Sequence, residues 1–220
     1  VKSGNACLLR GGREAIRSNA AIAAALREGL VEAGLPAEAI GFIDDPDRGA
    51  VARLLTLDGD IDLVIPRGGP DLTRAVRRQS AIPVLAHDKG LCHTFIDAAA
   101  DLSMAEEISL NAKAQRPGVC NAMETLLVHQ AVAERFLPAM AKRYQTAGVE
   151  LRGCPRTRAL LPGIKAATEE DWDTEYLDLI LSIKIVASLD EAIEHIACHG
   201  TGLAEAIVTE DPSAGGRFLA

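Results

Sequence analysis

Short apolar runs alternate with amphipathic segments through the first 85 residues of the chain. The apolar runs predict buried strands at residues 5–9, 40–43, 62–66 and 82–85. The helical spacing between them predicts a helix that begins near Ser18 and ends at Gly34-Leu35-Pro36, and further helices at residues 51–55 and 71–79. Repeated strand–helix alternation with short glycine-bearing turns predicts a parallel sheet with right-handed crossovers.

The character of the pattern changes after about residue 88. Strands are expected at residues 92–96, 125–128, 181–186 and 206–209, and helices at residues 103–111, 132–147 and 189–199. The stretch 152–163 is rich in Pro, Gly and Arg and is expected to be a loop. This second half therefore predicts a second α/β unit.

Composition and charge narrow the class of protein. The 220 residues are 48% apolar and 25% charged, which is typical of a soluble globular protein, and only 3% are aromatic, so the core must be built from aliphatic side chains. The net charge of −8 argues against a nucleic-acid or anionic-membrane binder. Five widely spaced cysteines without a C-x-x-C pair favour a reducing, cytoplasmic location, and no apolar stretch is long enough to span a bilayer.

Cys120 is the strongest candidate for a chemical role. It follows Pro117-Gly118 and lies between Arg116 and Asn121. A nucleophilic thiol needs a cation or backbone N–H groups nearby, and a neighbouring amide can stabilise a developing oxyanion. We therefore take Cys120 as the candidate nucleophile, Arg116 as a contact for a substrate anion and Asn121 as an oxyanion contact. The alternative is a buried structural cysteine whose neighbours make loop hydrogen bonds.

Two Arg-Gly-Gly turns, at residues 10–12 and 67–69, follow predicted strands and precede predicted helices. Backbone N–H groups and arginine can meet phosphate groups at such turns, although neither turn is a G-x-G-x-x-G motif and ordinary turn glycines are the simpler alternative. The Cys-His pairs at residues 92–93 and 198–199 lack the paired spacing of zinc motifs, so no metal site is expected.

A family resemblance adds to this interpretation. Residues 115–129, Gln-Arg-Pro-Gly-Val-Cys-Asn-Ala-Met-Glu-Thr-Leu-Leu-Val-His, closely resemble the cysteine loop of the gamma-glutamyl phosphate reductases. Further blocks that look like the landmarks of that family follow in the same order at residues 4–15, 65–69, 90–97, 170–178 and 205–209. Several colinear blocks over nearly the whole chain are far more specific than any single motif.

The resemblance implies a reaction. The family belongs to the aldehyde dehydrogenase superfamily and reduces L-glutamyl 5-phosphate with NADPH to L-glutamate 5-semialdehyde in L-proline biosynthesis. By this resemblance Cys120 would attack the acyl phosphate, phosphate would leave, and the thioester would accept a hydride. The stretch 84–90 lacks the glutamate base of hydrolytic aldehyde dehydrogenases, which favours a phosphate-coupled reductase because the thioester must be kept from water.

The resemblance also implies residues that bind the cofactor. The expected NADP contacts are Arg10, Gly11, Gly12, Gly68 and Gly69, and an arginine after the first strand would suit the 2′-phosphate. Glu175 falls where the superfamily has a glutamate that holds the nicotinamide ribose. Its alternative is a solvated acid within the acidic run 169–175.

The expected fold is therefore α/β and aldehyde dehydrogenase-like. Residues 1–88 are expected to form part of an NADP-binding, Rossmann-like domain, residues 89–210 the catalytic domain, and residues 211–220 the start of a return to the cofactor domain. The chain is expected to be a central fragment, with a homo-oligomer or a glutamate kinase as candidate partners. Gly202-Leu203-Ala204 departs from the family, many of whose members have a histidine and a hydroxyl residue there.

Two other functions stay open at this point. One is a different acylating, phosphate-dependent semialdehyde dehydrogenase, which would differ in the acyl phosphate that fits beside Arg116. The other is a catalytically silent fragment that acts only as an interaction module, because a fold does not guarantee an activity.

Overall fold

The computed structural model describes residues 3–45, 47–86 and 89–220, and the chain divides into two compact units, Val1–Asp88 and Lys89–Ala220. In the first unit β1 (Cys7–Arg10) pairs in parallel with β2 (Ile40–Ile43), and α1 (Ile16–Glu32) forms the crossover between them. Two helices follow, α2 (Arg48–Leu54) and α3 (Pro70–Gln79). The parallel pairing that the sequence predicts is confirmed here.

The prediction of full strands at residues 62–66 and 82–85 is wrong. The two segments meet in a single parallel bridge between Val64 and Val84. The Val64 N–H donates to the Pro83 carbonyl oxygen, and the Leu85 N–H donates to the Val64 carbonyl oxygen. Pro66 and Pro83 lack the N–H groups that would add further hydrogen bonds to this ladder. The apolar run therefore predicted the extended backbone but not the number of hydrogen bonds.

The second unit is built on a six-stranded, all-parallel sheet in the order β6-β5-β7-β4-β3-β8. Its strands are β3 (Cys92–Ile96), β4 (Met123–His129), β5 (Glu150–Gly153), β6 (Lys165–Ala166), β7 (Ile180–Val186) and β8 (Glu205–Val208). Its helices are α4 (Leu102–Ala114), α5 (Gln130–Thr146), α6 (Pro155–Leu160), α7 (Glu169–Trp172), α8 (Leu189–His199) and α9 (Pro212–Leu219).

Both faces of this sheet are covered, so its central strands β3, β4 and β7 are buried at nearly every position, the polar residues included. Leu126 and Val128 of β4 pack on one face in the larger core cluster, with α4 and α5, while Leu127 packs on the other face against Phe95 and the α8 residue Ala192. Alternate residues of a strand point to opposite faces, so one strand supplies both cores.

The expected loop at residues 152–163 is wrong. It contains the end of β5 and the whole of α6, which begins at Pro155. Proline is well tolerated in the first turn of a helix, where its missing N–H would have no partner, so it marks the start of a helix here rather than a break. The buried Thr157 hydroxyl then anchors this helix by donating to the carbonyl oxygen of Ile183 in β7.

Candidate functional site

The candidate site lies at the amino-terminal edge of the second sheet. The segments that lead into β3, β4 and β7 carry Gly90, Cys120 and Glu175, respectively. Because these three strands are parallel, the segments that precede them meet at the same edge. Residues that lie far apart in the sequence are thereby brought together.

Two consecutive turns lie between α4 and β4, and Cys120 belongs to the second. The N–H of Val119 donates to the carbonyl oxygen of Arg116, and the N–H of Ala122 donates to that of Val119, so Cys120 and Asn121 are the central residues of the second turn. The Cys120 residue is exposed. The alternative of a buried structural cysteine therefore does not fit this structure.

The main chain of Cys120 is held by the segment that enters β3. A Cβ atom built on Gly90 would lie 1.8 Å from the Cys120 carbonyl oxygen, so the two backbones are in direct contact. The same oxygen accepts a hydrogen bond from the Cys92 thiol at 3.5 Å. Burial, reinforced by the nearby Glu205 carboxylate, raises the pKa of Cys92 to about 11, which keeps this thiol protonated and able to donate.

Glu175 is connected to Cys120 through Gly90. Its Oε1 atom accepts a hydrogen bond from the Gly90 N–H at 2.9 Å. Among the residues that the structure describes, no group donates a hydrogen bond to the other oxygen, Oε2. The carboxylate is thus oriented by one oxygen while the second can bind a hydroxyl group.

Arg116 and Asn121 are both exposed and lie on the same pair of turns as Cys120. In the described part of the chain neither side chain makes a hydrogen bond to another protein group. A cation and an amide donor are therefore available beside the thiol, which suits an anionic substrate and a developing oxyanion.

The other predicted cofactor contacts lie in the first unit. Arg10 ends β1, and its guanidinium donates to the Asp47 carbonyl oxygen at 3.4 Å. A Cβ atom at Gly11 would lie 2.0 Å from Asn19 Nδ2, and one at Gly12 would lie 2.1 Å from Glu14 Oε1, so neighbouring side chains occupy the space beside both glycines.

The second glycine turn of the first unit leads into α3. Gly69 is the residue before this helix, and no side chain accepts a hydrogen bond from the first N–H groups of the helix. A Cβ atom on Gly69 would meet nothing within 4 Å. Gly68 is closer to its surroundings, since a Cβ atom there would lie 2.6 Å from Leu72. The uncapped and open start of a ten-residue helix suits a phosphate group.

The histidines of the two Cys-His pairs lie beside carboxylates of the same unit. His93 Nδ1 lies 2.9 Å from Glu205 Oε2, and His199 Nδ1 lies 2.8 Å from Asp173 Oδ1. Within residues 3–45, 47–86 and 89–220 no group of three or more potential metal ligands is found. His87 and Asp88, which belong to the stretch expected to lack a catalytic glutamate, lie outside the described residues.

Sequence reasoning missed four residues that lie against the segments carrying Cys120 and Glu175. They are Gly90, Cys92, Lys113 and Glu124. Gly90 and Glu124 fall inside the blocks that carry the family resemblance, but only the structure shows what they touch. Lys113 and Glu124 form a buried ion pair. The sequence offered one signal for it, since Lys113 lies near the end of α4 and Glu124 falls among the apolar residues of β4.

Comparisons with known proteins agree with this architecture. A model of the aldehyde dehydrogenase family matches residues 1–158, which include Cys120 and both glycine turns. The chain belongs to the aldehyde dehydrogenase family. The prediction of this superfamily and of an aldehyde dehydrogenase-like α/β fold is thereby confirmed.

The chain is similar to gamma-glutamyl phosphate reductases. It is 52% identical over 219 residues to the one from Caldanaerobacter subterraneus and 54% identical to the one from Thermus thermophilus; these alignments cover the whole chain and 53% of each relative. The crystal structure of the Thermotoga maritima enzyme superimposes with a TM-score of 0.95 at 49% identity, over 99% of this chain and 53% of that one. The chain thus spans about half the length of the curated relatives it matches.

A more distant structure shares only the fold. The glyceraldehyde-3-phosphate dehydrogenase of Methanocaldococcus jannaschii, solved in complex with NADP, is 13% identical, with a TM-score of 0.72 over 98% of this chain and 56% of that one.

None of the helices in the described residues is long and apolar enough to cross a membrane.

Proposed function

We propose that this chain carries the reaction centre of an NADPH-dependent gamma-glutamyl phosphate reductase, which converts L-glutamyl 5-phosphate to L-glutamate 5-semialdehyde and phosphate. The observation that carries the proposal is an exposed Cys120 whose carbonyl oxygen contacts Gly90, the residue that also orients Glu175. The similarity to enzymes of that name supports the choice of substrate.

Cys120 acts as the nucleophile in this proposal. Its sulfur attacks the acyl carbon of the substrate, a C–S bond forms, and the bond from that carbon to the phosphate oxygen breaks as inorganic phosphate leaves. Asn121 donates a hydrogen bond to the oxyanion that develops during the attack. Arg116 pairs with an anionic group of the substrate, either its phosphate or its carboxylate.

Each unit carries residues that suit a part of the proposed cofactor. Glu175 would bind a ribose hydroxyl through Oε2, because Oε1 is engaged by Gly90. Gly68 and Gly69 at the start of α3 would contact a phosphate, and Arg10 would meet the 2′-phosphate that distinguishes NADP from NAD, with Gly11 and Gly12 in the adjoining turn. When bound, NADPH supplies the hydride that reduces the thioester and frees the Cys120 thiolate.

This assignment gives each unit a role. Residues 1–88 would bind most of the cofactor and residues 89–210 would carry the thiol chemistry, with residues 211–220 leading back to the cofactor domain. The five free cysteines support a cytoplasmic location. We also propose a homo-oligomer or a complex with a glutamate kinase, the enzyme class whose product is an acyl phosphate.

The test is the reverse reaction of the intact protein, measured as NADP reduction with glutamate 5-semialdehyde and inorganic phosphate. Cys120→Ser should abolish this activity. Cys198→Ser is the matched control, because Cys198 is also exposed and lies on α8, outside the proposed site; it should keep the activity. Omission of phosphate should also stop the reaction.

Three results would overturn the proposal. Activity that survives in Cys120→Ser would place the chemistry elsewhere. Activity with another semialdehyde but not with glutamate 5-semialdehyde would indicate a different acylating dehydrogenase. An intact, folded protein without phosphate-dependent activity would be a silent member of the family.

A further inference from the structure

Lys113 and Glu124 form a fully buried ion pair. Their side chains are 0% and 2% exposed, and Lys113 Nζ lies 2.6 Å from Glu124 Oε2. Burial lowers the pKa of Lys113 and raises the pKa of Glu124, and pairing opposes both shifts. Removing two charges from water is costly, and well-packed apolar side chains often stabilise a protein as well or better. Stability alone therefore does not account for the pair.

The pair closes the base of the loop that carries Cys120. Lys113 is the next-to-last residue of α4, and Glu124 is the second residue of β4. The chain between them contains Arg116, Cys120 and Asn121. An ion pair at this place holds the two ends of the loop at one separation and in one orientation.

Glu124 also connects this loop to the segment that carries Glu175. Its second oxygen, Oε1, accepts a hydrogen bond from the Leu177 N–H at 3.3 Å. Leu177 adopts a φ of 53°, and it is the one non-glycine residue with a positive φ in the described ranges. This conformation is unfavourable for leucine and persists only where surrounding contacts hold it.

Two further distances show how near the segments lie to each other. Lys113 Nζ lies 5.8 Å from the centre of the Tyr176 ring, within the range of a cation–π interaction. A Cβ atom on Gly118 would lie 3.7 Å from the Leu177 carbonyl oxygen, so the Cys120 loop reaches the neighbourhood of Leu177 directly. The pair thus lies where the two segments meet.

We propose that Lys113 and Glu124 are positioning residues that set the separation of Cys120 from Glu175. This inference rests on the proposed function, in which Cys120 holds the acyl group and Glu175 holds the nicotinamide ribose. Neither Lys113 nor Glu124 needs to touch the substrate or the cofactor. Their task is to align two segments, because a displacement of about 1 Å between reacting groups can lower a rate on the order of 100-fold.

Two single variants and one double variant of the intact protein test the proposal. Lys113→Met and Glu124→Gln should each lower kcat by at least about 30-fold. The deuterium isotope effect on kcat of the reverse reaction, measured with glutamate 5-semialdehyde labelled at the aldehyde hydrogen, should be no smaller than in the wild type, since the hydride step is the one slowed. The double variant Lys113→Met/Glu124→Leu should recover the unfolding midpoint but not kcat.

Tyr144→Phe is the matched control. The buried Tyr144 hydroxyl donates to the Ser109 carbonyl oxygen on α4, one turn before Lys113. This variant lowers stability on the same helix without touching the pair, and kcat should stay within about twofold of the wild type. If the double variant recovers kcat together with stability, or if the isotope effect disappears in the single variants, the pair has only a folding role.

Amide hydrogen exchange separates this inference from the proposed function. In the double variant the N–H groups of Gly90 and Leu177 should exchange faster than in the wild type. In Tyr144→Phe the same two N–H groups should exchange at the wild-type rate. A wild-type protein without Cys120-dependent activity would refute the proposed function, and the exchange rates would still decide whether the pair holds the two segments. Unchanged exchange at both amides in the double variant would overturn the inference.

Discussion

Gly90 has no room for a side chain. A Cβ atom there would lie 1.8 Å from the carbonyl oxygen and 2.7 Å from the carbonyl carbon of Cys120, and both are backbone atoms that cannot rotate away. Real Cβ contacts stay beyond 3.0 Å, so Gly90→Ala must separate the two segments by about 1.2 Å or more. The substitution therefore tests whether the contact between Gly90 and Cys120 positions the reaction.

The displacement acts on both sides of the proposed site. It moves the Cys120 loop, and it disturbs the Gly90 N–H that orients Glu175. Misplacement of reacting groups by about 1 Å can reduce a rate on the order of 100-fold, and we expect a loss of that size in kcat. The assay is the phosphate-dependent reverse reaction, with the unfolding midpoint measured alongside.

Gly118→Ala is the matched control for this experiment. Gly118 lies on the same loop as Cys120, but the nearest atom to its Cβ would be the Leu177 carbonyl oxygen at 3.7 Å, an ordinary contact distance. Its φ is not positive, so alanine fits the backbone. We expect kcat to change by less than about threefold. If folded Gly90→Ala is as active as Gly118→Ala, the argument from steric contact is refuted.

Two further predictions concern stability. Gly29→Ala in the exposed interior of α1 should raise the free energy of unfolding by about 0.5–1 kcal/mol, because a Cβ atom there meets nothing within 4 Å; a decrease measured by urea unfolding would contradict this. Burial alone would raise the pKa of Asp171, but the Thr168 N–H and Arg152 outweigh it and lower that pKa to about 2. At a pH above its ordinary pKa, Asp171 should therefore add about 2 kcal/mol to the free energy of unfolding, and this contribution should be lost as the pH falls from about 4 to 2. The difference in the free energy of urea unfolding between the wild type and Asp171→Asn should shrink over that range, and a constant difference would argue against this reasoning.

Local pattern predicted the elements whose contacts are dense and regular. Strands β3, β4, β7 and β8 and the helices α4, α5 and α8 lie within a few residues of their predicted bounds, because apolar side chains on the central strands are needed on both faces of the sheet. Strands β5 and β6 and the helices α7 and α9 were not predicted. The pattern failed at residues 62–66 and 82–85, where prolines limit the ladder, and at α6, where Pro155 begins a helix. In these places backbone hydrogen bonding decided the structure.

The sequence by itself determined the family, the parallel α/β class and the candidate thiol of Cys120, because each of these rests on local motifs and on their order along the chain. Tertiary structure alone decided what surrounds that thiol. Gly90 and Glu175 are 85 residues apart, and Glu124 and Leu177 are 53 apart, yet the parallel strands bring all four to one edge of the sheet. The contact of Gly90 with Cys120 and the buried partner of Glu124 depend on distances of a few ångströms, which only the packed chain defines.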